Sequence, residues 1–241
     1  MCKIDGRPDV LLKVPRPFEE HVRATEIEKR VYRRLGEHPN LIEVVDIDEW
    51  GIYLKRAELG SIRDYYRNGG AASLDEKIKW CKDLVDVVQH VHSHNVRHAD
   101  LSGRNVLLDS SRRALLCDFS GSAIDGDPAI IIAEIGFRHP DRAEYLHPTM
   151  RSELHSLGST MYEILTGNKP FHDVINAHNV QERWLQEAKA EKLVQEGRYP
   201  DITNIPLRDV IAKCWSRQGV FNSASEVSEE LDRYRMPAVQ E

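Results

Sequence analysis

The sequence predicts an α+β fold with two lobes, a small β-rich lobe followed by a larger, mainly helical one. Short apolar runs at 10–14, 41–46 and 51–55 are typical of strands, and one helix is predicted between them, over 18–35. From residue 74 onwards, apolar residues recur every three or four positions, which is typical of helices with one buried face. A chain of 241 residues is long enough for two lobes around a cleft.

The composition is that of an ordinary globular domain. Hydrophobic residues make up 41% and charged residues 30% of the chain, and the net charge is −6, so nothing favours nucleic acid or an anionic membrane as a partner. No run is apolar enough to span a membrane or to serve as a secretory segment. The cysteines form no CxxC pair, so we expect no disulfide framework and a reducing, cytoplasmic compartment. The oligomeric state is not predicted.

The first strand and the first helix each carry a charged residue among apolar neighbours. Lys13 lies in the strand 10–14, where a buried ammonium needs a partner; the alternative is an edge strand whose lysine faces water. The helix over 18–35 has an apolar stripe at four-residue spacing, formed by Ile27, Val31 and Leu35. Glu28 lies on the adjacent strip, facing either a partner or solvent.

A second helix, predicted over 74–94, precedes the most informative part of the chain. Ser73 is a candidate N-cap for this helix. Its apolar residues share one face: Leu74, Ile78, Cys81, Leu84, Val85, Val88 and Val91. We expect this helix to hold the loop that follows it on a rigid base.

Three residues with oxygen-bearing side chains flank a predicted hairpin with strands at 106–108 and 114–117. Asp100 and Asn105 precede the first strand and Asp118 follows the second, so all three are expected at one end of the hairpin. Such oxygen ligands suit magnesium, and a further carboxylate can accept a proton from an attacking hydroxyl. The alternative interpretation is a polar turn in an ordinary α+β domain.

This stretch resembles the signature of the protein kinase family. Residues 98–105, HADLSGRN, resemble the H-R-D-L-x-x-x-N catalytic loop, and residues 118–120, Asp-Phe-Ser, resemble D-F-G. The resemblance implies a two-lobed protein kinase-like fold that uses ATP and Mg²⁺. It also implies that Asp100 is the catalytic base and that Asn105 and Asp118 hold the magnesium.

Three charged residues receive roles from the same resemblance. The strand with Lys13 resembles V-A-I-K, so Lys13 would pair with the ATP phosphates, and Glu28 would pair with Lys13 from the αC helix. The family's serine/threonine members usually carry a lysine where this chain has Ser102. Arg104 could neutralise the transferring phosphoryl group instead, as an arginine does in tyrosine kinases, or it could be a plain salt-bridge residue.

The implied nucleotide pocket lies between the lobes. Residues 55–61 resemble the kinase hinge, which makes Leu54 the gatekeeper and places the backbone from Lys55 to Ala57 against the adenine edge. Leu107, in the first strand of the hairpin, completes the implied nucleotide-binding set together with Lys13, Glu28 and Asp118.

The second half of the chain also follows the family. Residues 137–141 resemble A-P-E, and a helix over 151–167 resembles αF, with Glu153 where an aspartate is usual. Further helices are predicted over 180–195, 207–216 and 223–234. The resemblance covers about residues 9–235, divided into a partial small lobe over 1–56 and a large lobe over 57–241.

The sequence departs from the family at its start. The family has a glycine-rich loop between two strands before the lysine, and that loop covers the phosphates. Here twelve residues with one glycine, Gly6, precede Lys13, so we expect no room for that hairpin and a small lobe that is two strands short. Either the sequence lacks its beginning or the protein works without this lid.

Other departures concern the segment after Asp118. Ala99 replaces the arginine that commonly meets a phosphorylated residue there, as in non-RD kinases, and Ser120 and Ser122 are the only acceptors expected near the segment's start. We therefore expect no switching by phosphorylation of this segment. No arginine-proline pair follows Trp215, so we expect a matched loss: the shorter Asp141 replaces the family's A-P-E glutamate, and the arginine that pairs with it is missing.

The sequence supports three functions. The first is a protein kinase that transfers the γ-phosphate of Mg-ATP to a serine or threonine of a protein substrate, with tyrosine as the less favoured acceptor. The second is a pseudokinase, an ATP-binding scaffold with weak or no phosphotransfer. The third is a small-molecule phosphotransferase related to aminoglycoside kinases.

Overall fold

The computed structural model describes residues 1–177 and 179–234, so the predicted domain end at 235 and lobe end at 241 lie outside the described residues. The strands are β1 Cys2–Ile4, β2 Arg7–Lys13, β3 Val44–Ile47, β4 Ile52–Lys55, β5 Gly60–Ser61, β6 Val96–Arg97, β7 Val106–Leu108, β8 Ala114–Leu116 and β9 Ala123–Ile124. The helices are α1 Glu19–Leu35, α2 Ile62–Arg67, α3 Leu74–Ser93, α4 Arg142–Leu146, α5 Met150–Thr166, α6 Val180–Gln195, α7 Arg208–Cys214 and α8 Ala224–Arg233. The predicted α+β fold, sheet-rich at the N-terminus and helical beyond, is confirmed.

The N-terminal sheet has four antiparallel strands in the order β1-β2-β4-β3. Lys13 ends β2 and lies opposite Ile52 of β4. β1 forms a hairpin with β2 through a turn at Asp5 and Gly6. The expected deficit of two strands is therefore too large by one: β1 precedes the lysine strand, because the residues before Lys13 are enough to pair back onto it. The boundary at 56/57 stays a prediction.

The predicted strand over 41–46 is only partly correct. β3 begins at Val44, because Leu41 forms an isolated bridge with Leu116 instead. The N–H of Ile42 donates to the carbonyl of Leu116 at 3.0 Å, and the N–H of Leu116 donates to the carbonyl of Asn40 at 2.8 Å. These bonds connect the N-terminal part to β8, and therefore to the hairpin that leads to Asp118.

The predicted stripe of α1 is buried in the core cluster that also contains Ile52 and Leu54 of β4, with Tyr32 as a further buried member. Its first turn carries Glu19 and Glu20 and its last turn Arg33 and Arg34, an order that complements the helix dipole. Glu28 is fully buried on this helix, which requires a compensating charge.

The helical part is built around α5, which is buried along nearly its whole length. Its start and that of α3 are fixed by capping boxes, in which Ser73 and Thr149 accept from the backbone of the third helical residue. Gly158 allows α5 to pack closely on α7, since a Cβ at this position would lie 2.5 Å from that of Cys214. α5 is therefore a rigid base for the loops that contact it. Within residues 1–177 and 179–234, no helix combines the length and apolarity needed to cross a membrane.

The expected joint loss at Asp141 is wrong. Arg217, two residues after Trp215, places its Nε and Nη2 at 2.8 and 2.5 Å from Asp141 Oδ1. Arg151 lies 3.6 Å from the other carboxylate oxygen. An arginine therefore still ties the end of the segment to the helical part, without a proline beside it.

Candidate active site

Lys13 is the centre of an ion-paired triad. Its Nζ lies 2.6 Å from Glu28 Oε2 and 2.7 Å from Asp118 Oδ1. The Lys13 side chain is 22% exposed, that of Glu28 is fully buried, and that of Asp118 is 41% exposed. The alternatives of a water-facing lysine and a water-facing glutamate are therefore wrong. The triad joins β2, α1 and the end of the β7–β8 hairpin.

The triad keeps Lys13 and Asp118 charged. Burial lowers the pKa of Lys13, but the two carboxylates outweigh that effect and raise it above its usual value. Burial likewise raises the pKa of Asp118, but the ammonium of Lys13 outweighs this and lowers it to about 2. Burial dominates at Glu28 and raises its pKa. A cation and an anion, 2.7 Å apart, are thus both ionised at neutral pH.

The segment at Asp118 is held in a specific conformation. Asp118 has a φ of 65°, in the left-handed region where aspartate is tolerated better than most residues. Ser120 Oγ donates to Asp118 Oδ1 at 2.8 Å, a contact that the sequence analysis did not foresee. Phe119 is fully buried between the rings of Tyr32 and His98, at centroid distances of 5.3 and 4.8 Å. Packing of Phe119 under α1 directs Asp118 towards Lys13.

Asp100 has its hydrogen-bond partners within its own loop. Its Oδ2 accepts from Asn105 Nδ2 at 2.9 Å and from Arg104 Nη2 at 2.7 Å, whereas its Oδ1 is buried and has no partner among the described residues. Burial raises the pKa of Asp100 despite the charge of Arg104. The backbone carbonyl of Asn105 accepts from the N–H of Cys117 at 2.9 Å, so the loop that carries Asp100 and Asn105 is bonded to the residue that precedes Asp118.

A buried carboxylate on α5 anchors the start of the catalytic loop. Glu153 is 2% exposed and accepts from the backbone N–H groups of His98 and Ala99, each at 2.8 Å. Ala99 has a φ of 68°, so these bonds hold the backbone in a conformation that alanine rarely adopts. The His98 ring accepts from the N–H of Asp100 through Nδ1 and donates to the Cys117 carbonyl through Nε2. Glu153 stands where the αF helix of the family usually has an aspartate, and its carboxylate still binds the backbone of the loop.

A second carboxylate anchors the middle of the loop, and the sequence analysis missed it. Glu163 Oε2 accepts from the N–H of Gly103 at 2.8 Å, and its Oε1 accepts from Arg63 Nε at 2.6 Å. A Cβ at position 103 would lie 2.6 Å from this carboxyl group, so glycine makes the approach possible. The available signal was a glutamate within the apolar end of α5, between Tyr162 and Ile164.

The residues expected to line the nucleotide pocket are Leu54, Lys55, Ala57 and Leu107. Leu54 is 3% exposed in β4, and Leu107 is half-buried in β7 between two buried neighbours. The N–H of Lys55 already donates to the Glu43 carbonyl at 2.9 Å. The N–H of Ala57 donates in none of the described hydrogen bonds, which leaves it for a ligand. Ala57 and Leu107 pack against the core that contains Leu54, and the role of each residue in nucleotide binding stays a prediction.

The donor set suits magnesium that is held jointly with phosphates. Asn105 uses its Nδ2 for Asp100, so its side-chain Oδ1 is the atom left for a cation, and Asp118 Oδ2 accepts none of the described hydrogen bonds. Among the described residues, no cluster of three or more His, Cys, Asp or Glu side chains could hold a metal alone. Mg²⁺ usually takes one or two carboxylates plus substrate phosphates, so these residues fit the ion only together with a nucleotide.

This site matches the family to which the chain belongs. The family model described as "Protein kinase domain" matches residues 13–220, and the chain is therefore a member of the protein kinase family. The match begins at Lys13 and includes every residue of the site described above.

Curated proteins similar to this chain are described as serine/threonine-protein kinases. The probable kinase PknB of Lactococcus lactis is 24% identical over 143 residues, which are 56% of this chain and 23% of that protein. PrkC of Bacillus subtilis is 23% identical over 144 residues, or 56% of this chain and 22% of that protein. STY17 of Arabidopsis thaliana is 24% identical over 241 residues, or 93% of this chain and 40% of that protein. The chain thus spans less than half the length of each.

Proposed function

We propose that this chain transfers the γ-phosphate of Mg-ATP to a serine or threonine hydroxyl of a protein substrate. The observation that carries the proposal is the contact of Lys13 with both Glu28 and Asp118, since it places a fixed cation beside the predicted metal ligand. A lysine directed away from Asp118 would have removed the basis for an enzyme. The choice of serine or threonine rests on what similar proteins are described to be.

In this proposal Lys13 binds phosphate oxygens, and Glu28 holds the lysine in position from α1. Asp118 and Asn105 hold Mg²⁺, which when bound neutralises charge on the phosphates. The side of the cleft formed by Leu54 and Leu107 takes the adenine, and the Ala57 N–H donates to its edge.

Asp100 orients the acceptor hydroxyl and takes its proton. A raised pKa supports this role, because a base works best when its pKa approaches the working pH. The loop that carries Asp100 is held at two points by Glu153 and Glu163, which supports catalysis by positioning. Arg104, 2.7 Å from Asp100, lies where it can neutralise charge on the incoming phosphoryl group.

The test is transfer of labelled phosphate from ATP to peptide libraries that contain serine, threonine or tyrosine as the single acceptor. We expect magnesium-dependent labelling of serine and threonine peptides by the wild type, and a loss of at least about 100-fold in Asp100→Asn. Asp232→Asn, which changes an exposed carboxylate on α8, serves as the matched control and should retain the wild-type rate.

The alternatives correspond to distinct outcomes. Labelling of tyrosine peptides alone would overturn the acceptor preference but not the kinase activity. Equal background labelling by wild type and Asp100→Asn would overturn the proposed activity and leave the pseudokinase hypothesis. Labelling of aminoglycosides, but of no peptide, would favour a small-molecule phosphotransferase.

A further inference from the structure

Two arginines of α1 and two aspartates that follow β9 form a cluster of ion pairs, here called the ionic clamp. Arg30 Nη1 lies 2.6 Å from Asp127 Oδ2, and Arg34 Nη2 lies 2.7 Å from Asp125 Oδ1. Arg30 Nη2 also lies 3.4 Å from Asp125 Oδ2, so the four side chains are connected. The clamp joins α1 to a segment more than 90 residues further along the chain.

The turn that carries the two aspartates is preorganised. Asp125 and Gly126 have φ values of 56° and 86°, and the backbone N–H groups of Ile124 and Asp127 each donate to the carbonyl of the other, at 3.3 and 2.9 Å. Two successive positive φ values are typical of a type I′ hairpin turn, for which Asp-Gly is a favoured sequence. The two carboxylates are therefore held close together by the turn itself.

The turn is firmly connected to the catalytic loop. β9 ends at the turn and pairs with β6, with Ile124 opposite Val96. β6 is directly followed by His98, the first residue of the catalytic loop. Ser122 Oγ also donates to the His98 carbonyl at 3.2 Å. A displacement of the turn is therefore expected to displace the loop that contains Asp100.

On the other side of the clamp, α1 carries Glu28. Residues 28 and 30 are separated by about 200° around a helix, so the clamp acts on the outer face of α1 while Glu28 faces inward. The remaining contacts of α1 with the segment after β8 include the Phe119 N–H, at 3.3 Å from Glu28 Oε1, and the Tyr32–Phe119 ring contact. The clamp differs from these contacts because it consists of ion pairs between exposed side chains.

We propose that the ionic clamp positions α1 so that Glu28 reaches Lys13 while the segment 118–141 carries no phosphate. A phosphoryl group orders such a segment by pairing with arginines, and here two fixed carboxylates supply the negative charge instead. Ala99 has no charged side chain that could bind a phosphoryl group on this segment. Arg30 and Arg34, in contrast, already have anionic partners. The catalytic consequence rests on the proposed kinase function; the position of α1 does not.

The double variant Asp125→Asn with Asp127→Asn removes both charges and retains the turn, because asparagine adopts positive φ as readily as aspartate. The matched control is Asp232→Asn, since Asp232 makes an exposed ion pair with Lys82 at 2.8 Å between α3 and α8. Arg30→Lys with Arg34→Lys keeps the charges and serves as the conservative variant. All proteins are treated with phosphatase, and mass spectrometry verifies that residues 118–141 carry no phosphate.

The first readout is hydrogen exchange of the α1 amides, which needs no activity. We expect the Asp125/Asp127 variant to exchange at least about fivefold faster in α1 than wild type, and the control and the lysine variant to remain within about twofold. Added salt should accelerate α1 exchange in the wild type and leave the double variant unchanged, because exposed charges are screened. Equal α1 exchange in wild type and double variant would overturn the proposal.

The second readout is phosphotransfer. We expect the phosphatase-treated wild type to be active, and the double variant to lose at least about fivefold in kcat/KM for ATP, the usual scale of coupling between sites. Activity that appears only after phosphorylation within 118–141 would overturn the proposal. If no variant transfers phosphate but α1 exchange follows the expectation, the clamp stands and the proposed function fails.

Discussion

The two halves of the candidate site are supported by different kinds of charge. The catalytic loop is held from α5 by Glu153 and Glu163, which are 2% and 1% exposed and accept backbone N–H groups. The lysine half depends on α1, whose arginines Arg30 and Arg34 are about 40% exposed in the ionic clamp. Buried carboxylates are insensitive to salt, whereas exposed ion pairs are screened. We infer that the conformation of the catalytic loop is fixed by buried contacts, whereas the position of α1 depends on exposed ion pairs and can be adjusted.

The largest effect is expected at the buried anchor. Glu153→Ala leaves the His98 and Ala99 N–H groups without acceptors and releases a backbone with positive φ, so we expect a loss of about 3 kcal/mol in the free energy of unfolding. Urea denaturation measures this loss. Glu229→Ala, at an exposed position of α8, is the control. Equal midpoints for the two variants would contradict the idea that the catalytic loop is anchored by a buried charge.

The lysine half should show coupling between Lys13 and Glu28. Lys13→Met leaves Glu28 buried without its cation, and we expect a loss of about 2 kcal/mol in the free energy of unfolding. Lys13→Met combined with Glu28→Gln should recover more than half of that loss, although neither protein should transfer phosphate. Denaturation of the two single variants and the double variant measures the coupling. Additive changes in the free energy of unfolding would show that Lys13 and Glu28 do not stabilise each other.

A smaller effect is expected in the pH dependence of catalysis. Burial raises the pKa of Asp100 and the guanidinium of Arg104 opposes that rise, so Arg104→Met should raise the Asp100 pKa further. Because the base must be ionised, the acid limb of kcat/KM should move to higher pH in this variant. Rates measured between about pH 5 and pH 8 test the shift. Arg113→Met, which removes an exposed partner of Asp109, should leave the limb in place.

The smallest effect is expected at an exposed pair in the helical part. Arg217→Gln removes the contact with Asp141, but Arg217 is 56% exposed, so the free energy of unfolding should change by less than about 1 kcal/mol. Thermal unfolding measures it. A loss of stability as large as that of Glu153→Ala would mean that the exposure of a charged side chain does not determine how much it stabilises this protein.

The sequence predicted what depends on local order. Asp100 and Asn105 precede β7 and Asp118 follows β8, as the strand spacing predicts, and α1 and α3 follow from apolar periodicity. The pairing of Lys13 with Glu28 followed from a family resemblance, since no local pattern connects a strand to the inner face of a helix.

What the sequence could not predict depends on contacts between distant segments. The clamp joins positions more than 90 residues apart, and Arg63 meets Glu163 across 100 residues. Neither has a periodic signature, because charged residues on a helix usually face solvent. The error at Arg217 arose from looking for a neighbouring proline, although the guanidinium alone makes the bond. The error at β1 arose because the number of residues that a hairpin with β2 needs was overestimated.

The most direct test of the account is calorimetric titration of ATP in the presence and absence of Mg²⁺, for wild type, Asp118→Asn and Asp100→Asn. Magnesium should increase the ATP affinity of wild type and of Asp100→Asn, but not that of Asp118→Asn, because in the proposed mechanism Asp118, 2.7 Å from Lys13, would hold the cation and Asp100 would face the acceptor. A magnesium effect of the same size in Asp118→Asn and wild type would contradict the claim that these residues form one nucleotide and metal site.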